Sequence, residues 1–154
     1  MKFYKGNSGT DSKVCSFTLD QSVSFHNRWG KDKMGDRSCE NDDIRSMKMC
    51  YARKGFSITV FDDGSLGTSD DYAIVFAKTN MKDCVTIDGF ETSKTFSNEY
   101  DDEVEVKRFK SGNLDGKVSS METYFEGTLS SSMKMHLAVL SFKICRVIRS
   151  MEPR

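Results

Sequence analysis

What this chain lacks sets its first limits. Its 154 residues include a single proline, Pro153, and only two histidines, His26 and His136. There is no Gly-x-Ser-x-Gly, no Gly-x-x-x-x-Gly-Lys and no Gly-x-Gly-x-x-Gly, so the turn motifs that expose a nucleophile or cradle a phosphate are missing. A Cys–His or Ser–His pair would have to form by tertiary contact, and none of the many acidic pairs stands out as hydrolytic. The expectation is a protein that is not an enzyme. Charge of one sign is missing as well, because Lys plus Arg and Asp plus Glu number 23 each. No global field draws in nucleic acid, and no nucleic-acid partner is expected. Long apolar runs are absent too; the most apolar stretch, Met133 to Arg149, is broken by Lys143, Arg146 and Arg149 and is too short and charged to span a bilayer.

The five cysteines, Cys15, Cys39, Cys50, Cys84 and Cys145, contain no Cys-x-x-Cys pair. Zinc ribbons and thioredoxin-like motifs need that close spacing and are disfavoured. The odd count, with no apolar leader-like run at Met1 to Gly6, reads as free thiols in a reducing cytoplasm. Two disulfides and a spare thiol in a secreted protein is the alternative, should a leader have been removed.

What the chain does contain is β pattern. Residues 1–13 are rich in Gly, Ser, Asn and Lys and read as a loose N-terminal arm. From Val14, Cys15, Phe17 and Leu19 alternate with polar residues, as on a half-buried strand. Further strands are expected at Ser22–Phe25, Ile44–Tyr51, Phe56–Phe61, Tyr72–Ala77, Cys84–Ile87, Val104–Phe109 and up to Phe125. Val106 and Val118 are expected in the core. Short strands, turn signals every eight to twelve residues and almost no proline predict an all-β antiparallel sandwich over 14–125. The segment 126–154 is expected to pack on the sandwich or extend it, and both helix and strand fit its pattern.

Two loops carry the functional argument. Asn113-Leu114-Asp115-Gly116-Lys117-Val118-Ser119-Ser120-Met121 and Asn41-Asp42-Asp43-Ile44-Arg45-Ser46-Met47 share an acidic or amide start, two variable residues, a hydroxyl position, a serine and an apolar residue opening a strand. This layout resembles the calcium loop of βγ-crystallin-type Greek keys. An aromatic-rich hairpin near Phe25 and Trp29 resembles, at shorter spacing, the hairpin that begins such a key. The resemblance covers two loops and two hairpins and implies a Greek-key sandwich, a non-enzymatic structural or interaction role with an unidentified protein partner, and Ca²⁺ as cofactor. Carried over by position, one set of ligands is Asn41, Asp42 and the Asp43 carbonyl, with Arg45 where a hydroxyl belongs. A guanidinium there implies a weakened or dead site. The other set is Asp115, the Lys117 carbonyl and the Ser119 hydroxyl, with Gly116 in place of a second Asn or Asp. The two loops lie further apart than one Greek key is long, which implies an insertion or a different topology.

A second acidic group, Asp62, Asp63, Asp70 and Asp71, flanks a Gly-Ser loop. It looks similar to the calcium loops of synaptotagmin-type phospholipid-binding sandwiches, with Gly64 where an Asp is usual. The alternative function is therefore a calcium-dependent peripheral module on a membrane surface, using these aspartates and the basic, apolar 133–149 segment. Both groups also have a plainer reading: Asn-Asp and Asp-Gly make turns, serines cap backbone groups, and acidic turns keep sheet edges apart.

Overall fold

Alternation of apolar and polar residues over four to seven positions becomes strand wherever the apolar set finds a second sheet to cover it. The structure, a computed structural model, describes residues 1–18, 25–29, 39, 43–110, 112 and 114–125, with 25–29 described in backbone only. Among these the chain is nearly all β: β1 Lys2–Tyr4, β2 Lys13–Ser16, β3 Phe25–Trp29, β4 Ser46–Cys50, β5 Ser57–Phe61, β6 Tyr72–Ala77, β7 Cys84–Ile87, β8 Lys94–Ser97, β9 Glu103–Phe109 and β10 Ser120–Phe125. One 3₁₀ turn, Asn7–Gly9, is the helical content of the described residues. No helix among them is long and apolar enough to cross a membrane.

The strands form two antiparallel sheets, in the orders β2-β1-β4-β7 and β3-β10-β5-β6-β9-β8. These orders contain an internal repeat. In the first half, β1 pairs with β2 and β4, while β3 leaves to lie beside β10 in the other sheet. In the second half, β5 pairs with β6 and β10, while β7 leaves to lie beside β4. Each half thus lends its third strand to the other half's sheet. The β8–β9 hairpin, attached to β6 through β9, has no counterpart in the first half and accounts for the long spacing between the two loop motifs.

One apolar core lies between the sheets, with Phe3, Met47, Val85 and Ile87 from one side and Ile58, Val75, Val104, Val106 and Met121 from the other. Val106 and Val118 are fully buried, as the alternation predicts. The exchange of β3 and β7 ties the halves into this single core.

Two expectations are corrected here. Residues 1–13 are no loose arm: β1 is an inner strand of its sheet, and Phe3 is buried edge-on against Phe17, ring centroids 5.7 Å apart. A three-residue strand shows only one inward residue, too few to reveal a period. The cysteines are not all free either: Cys15 is bonded to Cys39 and Cys50 to Cys84. Cys50 and Cys84 face each other directly in the β4–β7 register, a proximity that sequence spacing cannot show. Cys145 lies outside the described residues, as does the 126–154 segment.

Smaller differences have local causes. β4 stops at Cys50, because Tyr51 takes a left-handed φ of 53° and turns outward, 66% exposed. Of the strand expected at Ser22–Phe25, only Phe25 is among the described residues, and it belongs to β3. The β8 strand is absent from the sequence reading, since Phe96 is its one buried residue on an edge.

Candidate functional site

Both motif loops run into the last strand of their half, and both are built alike. The Arg45 N–H donates to the Tyr4 carbonyl at 2.9 Å at the end of β1; the Ser119 N–H donates to the Phe61 carbonyl at 2.8 Å at the end of β5. One residue on, the fully buried serines Ser46 and Ser120 donate to the Gly6 and Asp63 carbonyls, each at 2.5 Å. Gly6 and Asp63 belong to the loops after β1 and β5. In each half the motif serine therefore clips the first hairpin to the returning strand. The bond gives the buried hydroxyl itself an acceptor.

The proposed calcium ligands divide as follows. Asn41 and Asp42 lie outside the described residues. Asp43 is half-exposed, and its carboxylate accepts from the Lys5 ammonium at 2.7 Å. Of Asp115, Lys117 and Ser119, the last two come together. The Lys117 N–H closes a turn onto the Leu114 carbonyl at 3.1 Å, and Gly116 stands at its third position with φ 68°. That left-handed position favours glycine, which explains the residue found where the motif has a second Asn or Asp. The Ser119 hydroxyl, mostly buried at 7% exposure, donates to the Lys117 carbonyl at 3.3 Å, so two of the three named oxygens are adjacent.

By the motif layout, Arg45 disables its own loop. It reaches instead into the other one, where its guanidinium pairs with the Asp115 carboxylate. The second loop thus offers calcium one carboxylate, one carbonyl and one hydroxyl, and the carboxylate already carries a fixed cation. Calcium takes six to eight oxygens, so water would complete the shell. All three donors are oxygens, the ligand type calcium takes.

Next to Asp115 lies a cleft of about 570 Å³, whose walls include Ser8, Asp88, Glu91, Lys94 and Phe96. Lys94 pairs with Asp88 at 3.4 Å and lies over the Phe96 ring at 4.8 Å. The Leu114 N–H donates to Glu91 Oε1 at 2.6 Å, which fixes the β7–β8 loop to the second motif. Sequence reasoning missed this cleft, because its walls come from three segments far apart in the chain.

Just past Phe61, at the same end of β5, three of the four aspartates read as a second acidic group also meet. Carboxylate oxygens of Asp62, Asp70 and Asp71 lie within 4.8 Å of one another. Buried Asp71 accepts from the Gly112 N–H at 2.8 Å and lies 3.8 Å from Arg108. Asp63 turns back on its own loop, where the Ser65 hydroxyl and N–H hold its carboxyl below the usual range.

Fold and site together define an antiparallel two-sheet β protein with paired turn motifs. Comparison of the chain with family models, with curated proteins and with solved structures finds no match.

Proposed function

We propose that this chain is a non-enzymatic structural or interaction protein of βγ-crystallin-like Greek-key type, whose Asp115–Ser119 loop takes one calcium ion weakly. The observation that carries this reading is the matched pair of motifs. Each half runs as strand, hairpin partner, exported strand and a return strand beside the first, with its motif serine clipping the hairpin at the same place. A chance acidic turn would not recur at the equivalent point of both halves. Arg45 sets the weakness of the calcium site, since the ion must compete with a guanidinium for Asp115.

Calorimetric calcium titration of three proteins tests this reading. Arg45→Ser is expected to strengthen binding about tenfold, by removing a positive charge within a few ångström of the ion. Ser119→Arg is expected to abolish it, replacing an oxygen ligand with a cation. If neither change alters binding relative to wild type, both loops are turns only and the calcium reading is lost.

The two disulfides support an oxidising compartment over the cytoplasm. The convergence of Asp62, Asp70 and Asp71 favours a second reading, a calcium-dependent module on a phospholipid surface. Co-sedimentation with anionic vesicles separates the two: binding that needs calcium and is lost in Asp70→Asn supports the membrane module, and no binding with or without calcium excludes it.

A further inference from the structure

We propose that the cleft between the Asn7–Gly9 turn, the β7–β8 loop, β8 and the Leu114–Lys117 turn binds a neutral carbohydrate. It lies on the side of the molecule where the halves differ: the loop leading into the β8–β9 hairpin supplies Asp88, Glu91 and Thr92, and the hairpin itself supplies Lys94 and Phe96. The cleft's volume of about 570 Å³ falls in the range of small-molecule clefts and holds a short oligosaccharide.

The charge pattern selects the ligand. Three carboxylates face the cleft, and each has a cation beside it. Lys94 is 3.4 Å from Asp88, Arg108 is 3.8 Å from Glu91, and Arg45 pairs with Asp115. Each carboxylate is balanced by its cation, so a free cation or a free anion would lose hydration in the cleft with no net opposite charge to offset it. A neutral molecule rich in hydroxyls avoids that penalty. Its hydroxyls can donate to the carboxylates of Asp88, Glu91 and Asp115 and accept from Lys94, while Ser8 and Thr92 serve as either. The walls are held in place before any ligand arrives. The Ser8 N–H donates to the Asp88 carbonyl at 3.1 Å, Glu91 holds the Leu114 N–H, and Arg108 Nη1 donates to the Glu91 carbonyl at 2.8 Å. Such preorganisation lowers the entropy cost of binding.

The inference does not depend on calcium, so the test is run in chelator. Saturation-transfer NMR is measured on the full chain with the methyl glycosides of glucose, galactose, mannose and N-acetylglucosamine. Methyl glucuronide and methyl glucosaminide serve as the anionic and cationic controls. The expected result is transfer to at least one neutral glycoside and none to the controls. Asp88→Ala is expected to weaken binding about tenfold or more, because a charged acceptor is lost. Thr92→Trp, at an exposed wall position, blocks the cleft and provides the same test should Asp88→Ala lower the melting temperature. Three outcomes overturn the proposal: no neutral glycoside binds, a charged control binds better than all neutral ones, or binding survives Thr92→Trp.

Discussion

Asp102 shows how much a single buried carboxylate can organise. It is 2% exposed, and it accepts from the Lys82 and Asp83 N–H groups at 2.9–3.0 Å and from the Asn98 amide at 2.9 Å. Burial works to raise its pKa, but the Asn98 and backbone donors outweigh burial, and the net displacement is downward. A carboxyl that ionises more readily in the native state stabilises fully above the unfolded value, about pH 4. That contribution fades as the pH falls below it, through the native pKa. Asp102→Asn is therefore expected to melt below wild type at pH 7, at a cost of about 2–3 kcal/mol. The gap should close as the pH is lowered through about 4, which thermal melts from pH 7 to pH 2 would show. Thr123 presents the opposite case. It is fully buried, and its hydroxyl has no hydrogen-bond partner among the described residues. Thr123→Val keeps the shape and removes the unmet polar atom, so stability should rise by up to about 1 kcal/mol in a denaturant titration. The motif serines argue the other way at this scale: Ser46 and Ser120 are buried because each satisfies a hairpin carbonyl.

Among the elements, the strands legible in the sequence were those with several inward residues. Tyr72–Ala77 and Cys84–Ile87 match β6 and β7 residue for residue: they are rich in β-branched and aromatic residues, and their burial alternates without a break. Strands β1 and β8 carry one buried residue each, Phe3 and Phe96, and a single apolar residue defines no period. The disulfides also belong to this scale. Cys50–Cys84 joins β4 to β7, the strand lent by the second half, and so fastens the halves where they exchange strands. It spans 34 residues, and loop-closure entropy assigns it about 3–4 kcal/mol. Replacing both cysteines by alanine should lower the denaturation free energy by about 2–4 kcal/mol. Thiol titration of the denatured protein, without reductant, should find the four described cysteines unreactive. Reaction at Cys50 or Cys84 would contradict the bond.

For the whole molecule, the exchange of β3 and β7 decides how it unfolds. Neither half can leave without breaking the other's sheet, and their inward residues share one core. Calorimetry should therefore record one cooperative transition, with calorimetric and van't Hoff enthalpies in agreement; two separate transitions would mean that the halves fold independently. The sequence by itself determined the all-β class, the inward faces of the long strands, the two turn motifs and the lack of any enzyme motif. These follow from side-chain alternation and from local turn chemistry, both of which act within a few residues. Only the tertiary structure decided the rest. Arg45, read as part of the first loop, belongs by contact to Asp115 in the second. Cys50 found Cys84 through sheet register, and Asp115 joins Asp88, Glu91 and Lys94 in one cleft although it lies far from them in the chain. Each of these depends on which strand lies beside which. That choice is made by burial of the common core, not by any residue's neighbours in the chain.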